Sequence, residues 1–263
     1  MIVTDLRRAP LATDSQRRML IRPLRKRLPD LVYHRQYVFF RPLTHYLRGV
    51  YFCPGRWSND IQLEPFALPL FGGGNFVYLA DGKLADGRPT FSYRHPEENW
   101  LQDPERASKE ACDAIEHRAL PEIAGLTSPE ALAAQPGYGF HLEYRVLNPC
   151  FYGDYEAAER AVDSYLLYWS ASSLGWIDDP AEVRKRARSL RRRGKERYST
   201  DYATEENRFH GEQWKRMEYL GMLLKTDRSR VPQLLHDWEE FSVKSFKLEK
   251  YWTRTPFPCE ERG

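Results

Sequence analysis

The chain has 263 residues, of which 41% are hydrophobic and 14% aromatic, and its formal net charge is +3. It is long enough to form one large domain or two small lobes around a sizeable core. No stretch approaches the ~18 apolar residues of a membrane span, and the start of the chain lacks the apolar segment of a signal peptide. We therefore expect a cytoplasmic protein with no membrane partner.

The first predicted helix runs over residues 14–28. Asp14 or Ser15 can cap it, and an apolar stripe follows at helical spacing, made of Met19, Leu20, Leu24 and Leu28. Pro23 removes one backbone hydrogen bond, so we expect a kink there. This helix should lie on the sheet that follows.

An antiparallel sheet is predicted over residues 33–93, because this region is rich in aromatic and β-branched residues between turn residues. Residues 33–40 and 46–52 form two expected strands, with Pro42 between them. Pro65 and Pro69 favour an edge position for a third strand that begins at Ile61. Residues 76–79 and 90–93 flank Asp81-Gly82 and Asp86-Gly87, which is the pattern of a hairpin with a long loop.

Two helices are predicted after the sheet. Asp103 caps the first, Pro104 occupies its first turn, and the helical pattern continues to Gly125. A shorter helix is expected to start at 127–130 and to end at Pro136-Gly137.

Residues 138–148 fit two patterns. Phe140, Leu142, Tyr144 and Val146 alternate as in a strand, yet Phe140, Tyr144, Leu147 and Phe151 also fit the spacing of a helix. Periodicity leaves both open. Gly153 and Asp154 then form a turn into a helix that reaches about Leu174, which favours a helical hairpin.

The remainder is predicted to be helical, with helices over 180–194, 204–224 and 231–248. In the last, a core-facing stripe is expected from Leu234, Leu235, Trp238, Phe241, Phe246 and Leu248. The fold class is therefore α+β, with an α+β domain over 14–135 that contains the antiparallel sheet and a helical C-terminal lobe over 136–263. Trp238 and Trp169 are the tryptophans expected in the core.

The order of these features resembles that of uncharacterised bacterial proteins of unknown function, some encoded near toxin, immunity or phage-defence loci. The resemblance rests on Ile21, Pro23 and Leu24 in the first helix, on the sheet, and on the sequences LPEI at 120–123, TSPEAL at 127–132 and GDYEAA at 153–158. It covers about residues 15–174. It implies an α+β fold and a bacterial cytoplasmic setting, and it transfers no active site.

The strongest charged feature is a basic segment at 184–197. Its cations are Arg184, Lys185, Arg186, Arg188, Arg191, Arg192, Arg193, Lys195 and Arg197, and Glu196 is its only acid, so the segment is +8 and the rest of the chain is −5. Such asymmetry can attract a nucleic acid backbone. Acidic residues flank the segment, so a solvated or internally paired face is the other reading.

No metal or cofactor site is predicted from the histidines and cysteines. The seven histidines lack the H-x-x-x-H and H-E-x-x-H spacings, and Cys53, Cys112, Cys150 and Cys259 are far apart without a C-x-x-C pair. Asp60 and Glu64, near His45 and Arg56 in sequence, can hold a divalent ion at a sheet end. An ordinary polar rim is the favoured reading, because no matching lysine follows at the expected strand position.

Three functions remain as hypotheses. The first is a non-catalytic interaction protein that binds another protein, as an immunity or defence component would. The second is a nucleic-acid-binding module that uses the basic segment, with Tyr198 and Tyr202 as stacking neighbours. The third is a hydrolase or nuclease whose site residues are dispersed along the chain. No catalytic residue is predicted.

Overall fold

The structure is a computed structural model that describes residues 13–54, 61–73, 92–93, 103–126, 128, 131, 142–171 and 200–261. Several predicted features lie outside these residues. They are the turns at 81–82 and 86–87, most of the helix expected at 127–136, the helix expected at 180–194 and the side chain of Trp169.

The predicted antiparallel sheet is confirmed. Its strands are β1 (Leu31–His34), β2 (Tyr37–Phe40), β3 (Tyr46–Pro54), β4 (Ile61–Pro69) and β5 (Ser92–Tyr93), and each pairs with the next in chain order. Residues 33–40, expected as one strand, instead form a hairpin, because the chain turns at Arg35, whose φ is +58°. Among the described residues, strand β5 pairs with Ile61 and Gln62. Pro65 and Pro69 of β4 therefore lie on the outer side of the described sheet, as their missing N–H groups require.

Two short helices precede the sheet, α1 (Asp14–Leu20) and α2 (Arg22–Arg27). The prediction was one kinked helix, and the chain breaks at Ile21, since Pro23 cannot donate within the first turn of α2. The cap of α1 is Thr13, in a capping box with Gln16. Asp14 and Ser15 were therefore wrong as predicted caps.

The helix after the sheet consists of α3 (Pro104–Ala114), a π-helical stretch (Ile115–Ala119) and α4 (Leu120–Ala124). The Asp103 cap is confirmed by its side chain, which accepts from the N–H of Arg106 at 3.0 Å. Pro121 lies just beyond the π stretch, and a residue without an N–H fits where the regular hydrogen-bond ladder is interrupted.

The helices α1 to α3 pack on one face of the sheet. A core cluster of buried residues joins sheet residues such as Val50, Phe52 and Leu63 to Leu24 of α2 and to Ile115 of the π-helical stretch. The backbone carbonyl of Leu20 at the end of α1 accepts from the buried Ser108 hydroxyl at 2.7 Å, so a helix end that would otherwise lose its hydrogen bonds on burial is satisfied.

The other face of the sheet is packed by residues 236–255. They belong to helix α8 (Val231–Phe246) and the segment that follows it. His34 contacts the Phe246 carbonyl at 3.0 Å, and the Tyr37 and Phe246 rings meet edge to face. Leu43 pairs with Trp252 as a parallel bridge. The prediction of a buried Trp238 is confirmed, whereas Phe241, expected in the core, is 50% exposed.

The remaining helices are α5 (Leu142–Tyr152), α6 (Tyr155–Ala171), α7 (Thr200–Thr226) and α9 (Pro258–Glu261). The helical alternative is thus confirmed for residues 142–148, and α5 and α6 form the expected hairpin. Gly153, with φ of +78°, makes the turn. Asp154 then caps α6 by accepting from the N–H of Ala157 at 3.0 Å.

The chain divides into two compact units. The sheet unit comprises Met1–Phe140 and His236–Thr255, and the helical unit comprises His141–Leu235 and Pro256–Gly263. The predicted division at 135/136 placed residues 236–255 in the helical lobe, whereas they belong to the sheet unit. Within the described residues, no helix is long and apolar enough to cross a membrane.

Candidate functional site

The predicted nucleic-acid-binding residues lie outside the part of the chain that the structure describes. They are Arg184, Lys185, Arg188, Arg191, Arg192, Arg193, Lys195 and Arg197. Binding of nucleic acid by this segment stays a prediction. Two other groups of side chains, both in the sheet unit, are candidates for a functional site.

The first candidate is Arg48 on strand β3. Side chains alternate along a strand, so Arg48 shares a face with Val50 and Phe52, which belong to the core cluster. Arg48 therefore continues the core-facing row of β3. It is half-buried, as expected for a residue in such a row.

The charged guanidinium of Arg48 is partly shielded from solvent. Burial lowers the pKa of its guanidinium below the ordinary value. Among the described residues, no carboxylate lies within ion-pairing distance of Arg48. Its neighbour Arg41, by contrast, contacts Asp30 at 3.5 Å and is largely exposed. A partly desolvated cation without a counter-charge is costly, and an anionic ligand would remove that cost.

A cavity of about 410 Å³ lies beside Arg48. Strand β3 and helix α4 both contribute to its walls, and the π-helical stretch leads directly into the α4 residues that line it. Besides Arg48, the lining includes the polar residues Arg41 and Thr44. Its apolar and aromatic residues are Phe40, Pro42, Leu43, Tyr46, Leu120, Ile123 and Ala124. Phe40 is 37% exposed, so an aromatic ring meets solvent at this site. We call this cavity and its lining the Arg48 pocket.

The second candidate is a buried cluster around Glu239, which is fully buried. His45 Nδ1 lies 3.0 Å from Glu239 Oε1, and His236 Nδ1 lies 3.5 Å from Glu239 Oε2. The other ring nitrogen of His45, Nε2, lies 3.1 Å from the Thr255 hydroxyl. We call these four residues the Glu239 cluster.

Three elements bring the Glu239 cluster together. His236 and Glu239 are three residues apart on α8, a spacing that places them on one face of the helix. His45 immediately precedes β3. The segment with Thr255 is fixed beside it, because the Thr253 N–H donates to the Leu43 carbonyl at 2.8 Å.

The two contacts of the His45 ring allow its tautomer to be assigned for a neutral ring beside an ionised Glu239. An ionised carboxylate can only accept, so Nδ1 of His45 carries the proton that faces Glu239. Nε2 of the neutral ring then accepts from the Thr255 hydroxyl. The result is an ordered chain of hydroxyl, imidazole and carboxylate.

The predicted metal alternative gains no support from the described residues, among which no group of three His, Cys, Asp or Glu side chains is placed to hold a metal ion. Asp60 and Arg56 lie outside the described residues, as does the side chain of Glu64. His45 was predicted as a polar neighbour of Asp60 and Glu64, whereas Glu239, Thr255 and Arg48 were not predicted as site residues. A lone arginine in a strand carries no local signal of function.

Comparison of the chain with protein-family models, with curated proteins and with solved structures found no significant match. The resemblance to uncharacterised bacterial proteins therefore stays a prediction.

Proposed function

We propose that this protein acts by binding a partner protein, and that the Arg48 pocket takes an acidic, apolar segment of that partner. The observation that supports this proposal is the half-buried Arg48 guanidinium, which has no carboxylate among the described residues as an ion-pair partner. A carboxylate of the partner would supply the missing charge.

The walls of the pocket favour a peptide over a highly charged polyanion. Its lining combines apolar and aromatic side chains, such as Phe40, Leu43 and Tyr46, with the cations Arg41 and Arg48, and its volume of about 410 Å³ suits one or two side chains. Arginine and aromatic residues are also the types enriched in protein interfaces and in the residues that dominate their affinity. An immunity or defence component, the role suggested by the sequence resemblance, would act through such an interface.

The proposal can be tested with an array of synthetic peptides in which Asp or Glu is flanked by apolar residues. Each acidic peptide is paired with its Asn or Gln counterpart. We expect the labelled full-length protein to prefer the acidic member, and the preference to fall at least about tenfold in Arg48→Gln, because a buried charge pair loses one partner. Arg25→Gln, at an exposed position of α2, is the matched control and should bind as the parent does.

Equal binding of acidic and amide peptides would contradict the proposal. So would an Arg48→Gln protein that keeps the preference. If small carboxylates bind the pocket but peptides do not, the ligand is a small molecule, and the proposed partner protein is wrong.

A further inference from the structure

We propose that Thr255, His45 and Glu239 form a hydrolytic triad that cleaves esters of small carboxylic acids. This activity goes beyond the proposed binding function and depends on a different group of residues. It rests on the order of hydroxyl, imidazole and carboxylate, with separations of 3.1 Å and 3.0 Å between the three groups. Both separations are within the hydrogen-bond reach that a nucleophile, its base and an orienting carboxylate require.

The exposure of the three side chains follows the order that the chemistry needs. Glu239 is fully buried and the His45 side chain is 11% exposed, while Thr255 is half-buried. The nucleophile is thus the member nearest to solvent and to a substrate. The carboxylate is shielded from water, which strengthens its interaction with the imidazole.

Thr255 is also held in place by its own backbone. The parallel bridge between Leu43 and Trp252 fixes the segment three residues before it. Pro256 follows directly in the sequence and restricts the backbone of Thr255 to extended conformations. A nucleophile on a restrained segment keeps its distance to the base, which is a condition for efficient attack.

His236 gives the carboxylate a second contact. Its Nδ1 lies 3.5 Å from Oε2, the oxygen of Glu239 that does not contact His45. Glu239 and His236 act through His45 and are therefore positioning residues, whereas Thr255 and His45 would contact the reacting atoms.

The reaction proceeds in two balanced steps. The Thr255 oxygen attacks the ester carbonyl carbon while its proton passes to His45 Nε2, and the alcohol leaves with that proton, so an acyl-threonine remains. Water then attacks the acyl carbon and gives one proton to Nε2. Thr255 leaves the acyl group and takes the proton back, and a carboxylic acid is released. A secondary hydroxyl is a hindered nucleophile, so the acyl group has to be small.

The full-length protein is tested with p-nitrophenyl acetate. We expect turnover above the uncatalysed rate, reduced at least about a hundredfold in Thr255→Val, which has a similar shape but no hydroxyl. Thr255→Ser should retain the activity. Thr226→Val is the matched control, because the hydroxyl of Thr226 is exposed and donates to the Met222 carbonyl of its own helix. Circular dichroism of each variant shows whether it is folded.

A second measurement is independent of the variants. Mass spectrometry of the acid-quenched parent protein should locate an acetyl group on Thr255. Glu239→Gln should lower the rate and move the acid limb of the pH–rate profile to lower pH, since an imidazolium without an anionic neighbour gives up its proton more readily. A merely structural role for Glu239 would leave the profile in place.

The proposal is overturned if the parent protein neither hydrolyses the ester nor carries an acetyl group on Thr255. It is also overturned if folded Thr255→Val hydrolyses the ester at the parental rate, which would assign the reaction to another nucleophile.

Discussion

Three buried or half-buried charged side chains of this protein have different surroundings. Glu239 is fully buried between two imidazoles. Glu143 is buried on α5, where Gln213 donates a hydrogen bond to it and Arg216 attracts it. Arg48 is half-buried and has no described carboxylate beside it. Removing a charge from water is costly in all three cases. Glu239 and Glu143 have partners within the described chain that offset this cost, whereas Arg48 has no described carboxylate beside it and is therefore the candidate for binding a ligand.

Glu143 leads to a prediction about pH. Burial raises its pKa above the ordinary value of 4.5, and the contacts with Gln213 and Arg216 oppose this only in part. A raised carboxyl pKa gives stability that is present below the ordinary value and is lost as the pH rises through the raised pKa. Glu143→Gln removes this loss. We therefore expect the stability of the variant relative to the parent to increase as the pH rises above the ordinary carboxyl pKa of 4.5.

Urea unfolding of the two proteins at several pH values measures this effect. Glu218→Gln, which removes an exposed carboxylate from α7, is the control and should follow the parent. A difference between Glu143→Gln and the parent that is constant across the pH range would show that Glu143 keeps the same protonation state in the folded and unfolded chains.

At the scale of elements, helices α6 and α7 approach each other closely at Gly221. A Cβ atom there would lie 2.7 Å from Cγ1 of Val162, which is shorter than carbon atoms tolerate. Val162 is buried and β-branched, so its side chain has little freedom to move away. The absence of a side chain at Gly221 is what lets the two helices pack at this point.

A double-mutant cycle tests this contact. Gly221→Ala should destabilise the protein by about 1 kcal/mol, because the overpacking cost of ~1–3 kcal/mol exceeds the helix-propensity gain of ~1 kcal/mol. Val162→Ala removes the obstructing methyl and should cost about 2 kcal/mol by itself. The destabilisation of the double variant should be smaller than the sum of the two single effects by about 1 kcal/mol. Additive effects would mean that the helices separate freely.

Gly125→Ala is the matched control for this cycle. The nearest atom to a Cβ at Gly125 is the Glu122 carbonyl oxygen at 4.0 Å, and the φ of Gly125 is −77°. Alanine therefore fits there without strain. Its expected effect is neutral to slightly stabilising, because the unfolded chain loses freedom.

Local signals in the sequence predicted most of the elements and few of their long-range partners. The Asp103 cap, the Gly153-Asp154 turn and the aromatic strands each depend on neighbouring residues, so they can be recognised from spacing. The contact between His45 and Glu239 joins residues 194 positions apart, and no spacing rule encodes it. The same holds for Thr255, which is 210 positions from His45. The proposed role of Arg48 likewise depends on what surrounds it in the folded chain.

At the scale of the whole molecule, the two faces of the sheet are packed by different parts of the chain. Helices α1 to α3, which lie close to the sheet in the sequence, pack on one face, and residues 236–255 pack on the other. The prediction followed chain order and placed all of 136–263 in a helical lobe, so it did not assign residues 236–255 to the sheet unit. A helical pattern identifies α8 but does not indicate the surface against which its apolar side packs. The segment 236–255 includes the buried residues Trp238, Val243, Phe246 and Leu248, all in the sheet unit.

Truncation of the chain tests whether the sheet unit needs this segment. Each of the four buried residues contributes about 1.5–3 kcal/mol by burial, so together they approach the whole ~5–15 kcal/mol by which a typical domain is stable. A chain that ends after Leu235 lacks all four and the partner of His45. We expect it to lose its near-ultraviolet circular dichroism and to bind the dye ANS, as a molten globule does. A chain that ends after Phe257 keeps the segment and lacks only α9, so its near-ultraviolet spectrum should resemble that of the full chain. Cooperative unfolding of the shorter chain, with a native spectrum, would show that the sheet is stable with one face unpacked.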